Sequence, residues 1–181
     1  MTKTLTLIPA PTSIQPGGYI PAAFADRTVA LTPGAEIAVE PLAKGWRITL
    51  AWDCPEPVNS AAGETDKFVD ACAVLAPVVA DAPWISMGAP AQPVEGLLWR
   101  PDREEPWAIH AEGLGTVRRE TPSAGTTASG NWQDGRWQVV FEIPAWTALA
   151  QNRQIAVAVW RGVAQERAGL KSISSGWLAL D

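Results

Sequence analysis

Histidine, cysteine, methionine and lysine are all scarce in this chain of 181 residues: there is one histidine, His110, two cysteines, Cys54 and Cys72, and one methionine, Met87, beyond the initiator. Lysine occurs only at Lys3, Lys44, Lys67 and Lys171. A lone histidine excludes His-rich metal sites, and without a G-x-S-x-G setting it leaves a Ser-His-Asp triad without support. The cysteines form no C-x-x-C pair, so a zinc knuckle, an iron–sulfur cluster and covalent c-type haem attachment are unsupported. They leave open one disulfide or two buried thiols. With a formal net charge of −5 and a pI near 4.9, the chain lacks the clustered cations that displace counterions from DNA or RNA, so nucleic acid is not an expected partner. Long apolar runs are also missing. No stretch of about 18–20 apolar residues is present to span a membrane as a helix, and the first residues, MTKTLTLIPAPTSIQPGG, show no apolar signal-peptide core of about 7–15 residues. The expectation is a soluble chain folded as a single domain, 1–181.

What the chain does have is punctuation and tryptophan. Sixteen prolines and fifteen glycines interrupt every candidate helix and suit short strands joined by turns. Apolar and polar residues alternate in WRITLAW (46–52), in RWQVVFEI (136–143) after the turn signal QDG, and in QIAVAVWRG (154–162). FVDACAVLAPV and VEGLLWRPD are further strand candidates. No helical apolar period lasts more than about two turns. The predicted fold is therefore all-β, an antiparallel β-sandwich of two sheets with long loops and little helix. ETPSAGTTASG (120–130) reads as an exposed loop before the hairpin NWQDGRW. Ten tryptophans point either to a core built around rings or to a surface that stacks on a planar ligand.

Several features have plain readings. His110 reads as a polar residue near a strand end, GLGTV (113–117) as a turn without the helix that a dinucleotide fingerprint needs, and DREE (102–105) as a solvated loop. Met87 by itself reads as core filler and Lys171 as a lysine facing water. Their settings are nevertheless unusual. Met87 lies in an irregular segment rich in proline and glycine, and Lys171 sits between Leu170 and Ser172 in what reads as an apolar strand.

The blocks WRITLAWDCPEP, DKFVDACAVLAPV, SMGAPAQPVEGLLWRPD, AEGLGTV, NWQDGRWQVVFEIP and IAVAVWRGVAQERAGLKSISSGWLAL occur in an order that identifies a resemblance. Together, from about residue 46 to the C-terminus, the chain resembles the haem b-binding gamma subunits of type II molybdenum enzymes of the dimethyl sulfoxide reductase family, such as ethylbenzene dehydrogenase, dimethyl sulfide dehydrogenase, and chlorate and selenate reductases. Residues 1–45 match that pattern poorly.

The resemblance implies a β-sandwich holding one non-covalent haem b with methionine and lysine as axial ligands, which fall here on Met87 of SMGAP and Lys171 of GLKSIS. It also implies a non-catalytic electron-transfer role. The partners would be an iron–sulfur beta subunit, a molybdenum alpha subunit and an external carrier such as a soluble cytochrome c. It implies a periplasmic complex, although no signal peptide is visible and a cytoplasmic location stays open. The residue types suit the chemistry. A thioether is a soft neutral donor that raises the reduction potential. Lysine binds a metal only as the neutral amine, and removing its proton at pH 7 costs about 4.6 kcal/mol from an ordinary pKa of about 10.4. A dry pocket lowers that cost. Trp84, Trp99 and Trp177 are candidates for packing on the porphyrin, and plain core is the alternative for each. Met87 with His110 is the alternative ligand pair. Two other readings keep the fold without haem: a carbohydrate-binding module using exposed tryptophans, and a haem-free assembly subunit of the same complex.

Overall fold

In the computed structural model, which describes residues 1–17, 20–60, 63 and 65–180, the alternating stretch at 46–52 is a strand whose Trp46, Ile48, Leu50 and Trp52 are all buried. It is one of twelve strands among the described residues: β1 Thr2–Pro9, β2 Gly34–Pro41, β3 Trp46–Asp53, β4 Ala71–Pro77, β5 Val94–Trp99, β6 Trp107–Ala111, β7 Arg118–Glu120, β8 Thr127–Gln133, β9 Arg136–Ile143, β10 Gln154–Trp160, β11 Ser172–Ser174 and β12 Leu178–Ala179. The single α-helix among the described residues, α1 (Thr147–Asn152), is six residues long and buries Leu149. No helix among them is long and apolar enough to cross a membrane.

Every strand pairing is antiparallel, in the order β7-β6-β5-β4-β10-β11-β1-β2-β3-β9-β8, with β12 added beside β10. The two layers expected from the sequence are joined through β1. Its first half, Thr2–Thr6, pairs with β2, and its second half, Leu7–Pro9, pairs with β11. The result is one curled sheet folded over itself. Between the layers, Ile37, Leu50 and Phe141 from one half meet Val74, Leu97 and Val157 from the other.

A second apolar layer explains why β4 and β10 show so little polar alternation. All of ACAVLAP in β4 is buried. Cys72, Val74 and Ala76 face the inter-sheet core, while Ala73 and Leu75 face a separate cluster with Leu98, Ile109, Ala156 and Ala158. A strand covered on both faces reads as a continuous apolar run. The outer face of this half-sheet is therefore roofed by loops and not exposed to water, and that roof builds the site.

Two expectations change. The segment expected to be a loop through residue 130 becomes strand β8 at Thr127, paired with β9 as far as Gln133 opposite Arg136. Its exposed small and polar residues gave no alternation; pairing across the tight Asp134-Gly135 turn, at φ 52° and 79°, holds it in the sheet. Lys171 lies at a bend just before β11 and not within a strand, although its carbonyl accepts the Ala10 N–H at 3.0 Å. Cys54 and Cys72 are both free buried thiols. Burial pushes Cys54 up to about 12, with Asp70 adding to it, and raises Cys72 as well, so neither is a reactive thiolate.

Candidate cofactor site

Strand parity sorts the candidates. In β6, Ile109 and Ala111 face the outer apolar cluster, while Ala108 packs towards the inter-sheet core. His110 follows the parity of Ala108, away from the outer cluster, and its Nε2 lies 3.8 Å from Glu112 Oε1. On β5, Leu98 joins the outer cluster and Trp99 turns into the inter-sheet core, its ring 5.1 Å edge-on to Trp137. His110 and Trp99 therefore lie on the face opposite Met87, which packs against the outer cluster.

Met87 is carried by the turn-rich connection between β4 and β5. Proline and glycine keep this segment from forming a strand; apart from an isolated Ala89–Gln92 bridge, a net of hydrogen bonds fixes it. Met87 N–H donates to Trp84 O at 2.8 Å, Gly88 N–H to Pro83 O at 2.7 Å, and Gly113 N–H to Met87 O at 2.9 Å. Met87 itself sits at φ 57°, followed by Gly88 at φ 87°. A left-handed conformation is unusual for a side chain of this size, and such positions concentrate at functional sites. Trp84 is buried, donates Nε1–H to Ser174 O at 2.7 Å, and packs 5.2 Å from the Trp177 ring. Trp177 Nε1–H in turn donates to Ala82 O at 2.7 Å. These rings brace the Met87 turn.

Lys171 ends the β10–β11 connection. That loop is tied down by Glu166, only 2% exposed, which accepts Arg161 N–H at 2.8 Å and pairs with Arg27 at 3.1 Å. Burial lifts the Glu166 carboxyl to about 7 against the lowering effect of these donors. Lys171 is 9% exposed, and burial lowers its amine from 10.5 to about 8. Its Nζ donates to Met87 Sδ at 3.5 Å and lies 5.2 Å from the centre of the Trp160 ring. The structure thus brings together the two residues that the motifs singled out.

They share a cavity of about 450 Å³. Its floor is the outer face of the sheet, with Ala73, Leu75, Leu98, Ile109 and Ala158; Trp84 and Trp160 wall it, and Gln15, Leu114, Val117 and Arg119 stand around it. These residues make the floor apolar. Trp160, Gln15 and Arg119 went unnoticed in the sequence. For Trp160 and Arg119 the period-2 phase, one step from Ala158 and in register with Ile109, was a usable signal. For Gln15, whose side chain would meet a Cβ on Gly169 at 2.6 Å, there was none. No carboxylate lines the cavity among the described residues, and no cluster of three or more His, Cys, Asp or Glu side chains suited to a metal ion occurs among them. A metal held here between one thioether and one amine would have to bring its remaining donors with it. Of the ten tryptophans, Trp132 alone is exposed, at 37%.

No family model matches the chain. Over 136 residues, 70% of this chain and 48% of the relative, it is 39% identical to a protein of Haloferax mediterranei named a respiratory nitrate reductase heme subunit, ORF7. Over 144 residues, 74% of this chain and 58% of the relative, it is 34% identical to the chlorate reductase subunit gamma of Ideonella dechloratans. The chain thus spans about half the length of the curated relatives it matches. From the shared blocks and these two likenesses, the chain belongs with the gamma subunits of type II dimethyl sulfoxide reductase-family enzymes.

Proposed function

We propose that this chain is the haem b-binding, electron-transfer subunit of a molybdenum oxidoreductase complex, with Met87 Sδ and Lys171 Nζ as the axial ligands of the iron. The observation that carries the reading is the approach of these two donors to 3.5 Å in an apolar cavity, although 84 residues separate them in the chain.

The residues present fit the group. The donors are of the right kind, a soft neutral sulfur and an amine already biased towards its neutral form by burial. The pair, in contact at 3.5 Å, would part to receive a metal between the two donors. The apolar floor of Ala73, Leu75, Leu98 and Ala158 suits the apolar edge of a macrocycle. Bound haem supplies reversible one-electron exchange at its iron. The chain's own contribution would be to hold the group through Met87 and Lys171 and to exclude water with Trp84, Trp160, Leu75 and Leu98. The bent backbone at Met87 and the Glu166-anchored loop hold the two donors on two separate segments.

We read residues 1–181 as one haem-binding domain, non-catalytic in itself. It would pass electrons between an iron–sulfur beta subunit, wired to a molybdenum alpha subunit, and an external carrier such as a cytochrome c, in the periplasm. The names of the relatives support membership of a reductase complex. Six of the ten tryptophans are buried, three are half-buried and Trp132 alone is exposed, which gives little support to a sugar-stacking surface.

The test is reconstitution. Purified protein titrated with haem should show a sharp low-spin spectrum on reduction. Loss of the low-spin form in Lys171→Ala, together with an altered potential in Met87→Ala, supports the pair. A protein that stays colourless with haem, or unchanged spectra in both variants, overturns it.

A further inference from the structure

The charge around the cavity is one-sided. Two basic side chains, Arg119 and Lys171, line it without a single carboxylate among the described residues, in a chain whose formal net charge is −5. Lys171 is spent on Met87. Arg119 is not spent. It lies on β7 in register with Ile109, so it shares the cavity face, and it is exposed at the edge of the sheet.

Arg119 is also pre-positioned. Its guanidinium stacks on Trp107 at 5.0 Å, beside those of Arg103 at 3.9 Å and Arg100 at 5.7 Å. Arg100 is bound by Asp102 through both its Nε and Nη2, and Arg103 Nε–H donates to Glu105 O at 3.4 Å. The Arg119 side chain has no hydrogen bond or ion pair among the described residues. A planar fork held by an aromatic face at the rim of an apolar cavity is the recognition geometry for a carboxylate.

We infer that Arg119 binds a carboxylate at the outer edge of the cavity's occupant and so sets which way round that occupant enters. The inference rests on the haem reading of the cavity. Haem b carries two propionates along one edge and apolar substituents along the opposite edge. The apolar edge goes in against Ala73, Leu75 and Leu98, and the propionate edge stays at the rim with Arg119. Because Arg119 is exposed, the pair is worth only a few-fold in affinity and weakens with salt.

The experiment compares ferric haem with haem dimethyl ester, whose carboxyls are blocked, by titrating each into the protein and following the Soret band. Wild-type protein should bind the free acid more tightly than the ester. In Arg119→Gln that preference should shrink by roughly three- to fivefold, and in Arg119→Glu it should reverse. The low-spin spectrum should persist in both variants, since neither touches an axial donor. An acid-to-ester ratio identical in wild type and Arg119→Gln, with low-spin spectra retained, removes the Arg119 assignment and leaves the axial pair standing. Failure of the wild type to give a low-spin complex with either compound removes the haem reading and this inference together.

Discussion

Lys171 Nζ donates to Met87 Sδ across 3.5 Å, from a loop anchored by a buried carboxylate to a turn held in a left-handed bend. A lysine buried beside a thioether, with an aromatic ring 5.2 Å away and no carboxylate lining its cavity, has no ordinary counter-ion there. Its charged form is therefore the costly one.

That cost gives a pH signature. The amine titrates near 8 in the folded protein and near 10.5 unfolded, so between these values the unfolded chain holds more protons and stability rises with pH. The full gain is on the order of 3 kcal/mol, complete only above the unfolded pKa. The buried thiols oppose it above about pH 9, because their protonated forms are favoured by folding. The readout is thus the difference between wild type and Lys171→Met in denaturant unfolding across pH 7–10.5. The difference should move in favour of the wild type as pH rises; a constant difference would show that Lys171 is not desolvated.

Glu166 acts in the opposite sense. Its carboxyl titrates near 7 in the folded protein against an ordinary 4.5, so the folded state holds the extra proton and stability falls as pH rises through that window. Glu166→Gln should flatten the slope between pH 4.5 and 7. Removing Arg27, whose charge lowers the Glu166 pKa, should destabilise by about 1–3 kcal/mol at pH 8 and by less at pH 6. Chemical denaturation at the two pH values checks this.

Gly88 fixes the Met87 turn. A Cβ there would come within 2.7 Å of Gln92 O and 3.0 Å of Ala111 O, at φ 87°. Gly88→Ala should cost about 1–3 kcal/mol of stability and weaken haem binding. Calorimetry and haem titration on the same preparation should show both losses; a variant as stable as wild type would mean the turn is not held as described.

His110→Ala should leave both haem affinity and spectrum unchanged, since the imidazole follows the parity of Ala108 on the face away from Met87. Loss of the low-spin signal in this variant alone would shift the ligand pair to Met87 and His110.

Strands with one wet face were the legible part of the fold. Trp46, Ile48, Leu50 and Trp52 alternate with less buried neighbours because β3 faces the core on one side. β8 was hidden because its side chains, Trp132 apart, are small or polar and almost all exposed, so only pairing with β9 makes it a strand. In the site, Met87 and Lys171 were found through motif resemblance, not through burial, since a methionine in a Pro/Gly-rich turn and a lysine near the C-terminus carry no periodic signal. Trp99 looked equivalent to Trp84, but the alternation of β5 sends it to the inter-sheet core. Gln15 joins the cavity from a segment with no regular pattern, and contacts of that kind arise only from the folded chain.

X-ray absorption at the iron edge of the haem-loaded protein tests the axial pair most directly. One sulfur and five nitrogen neighbours are expected around the iron, with the sulfur lost in Met87→Ala and retained in Lys171→Ala. Six light-atom neighbours in the wild type, or a sulfur signal that survives Met87→Ala, would contradict coordination by Met87 and Lys171.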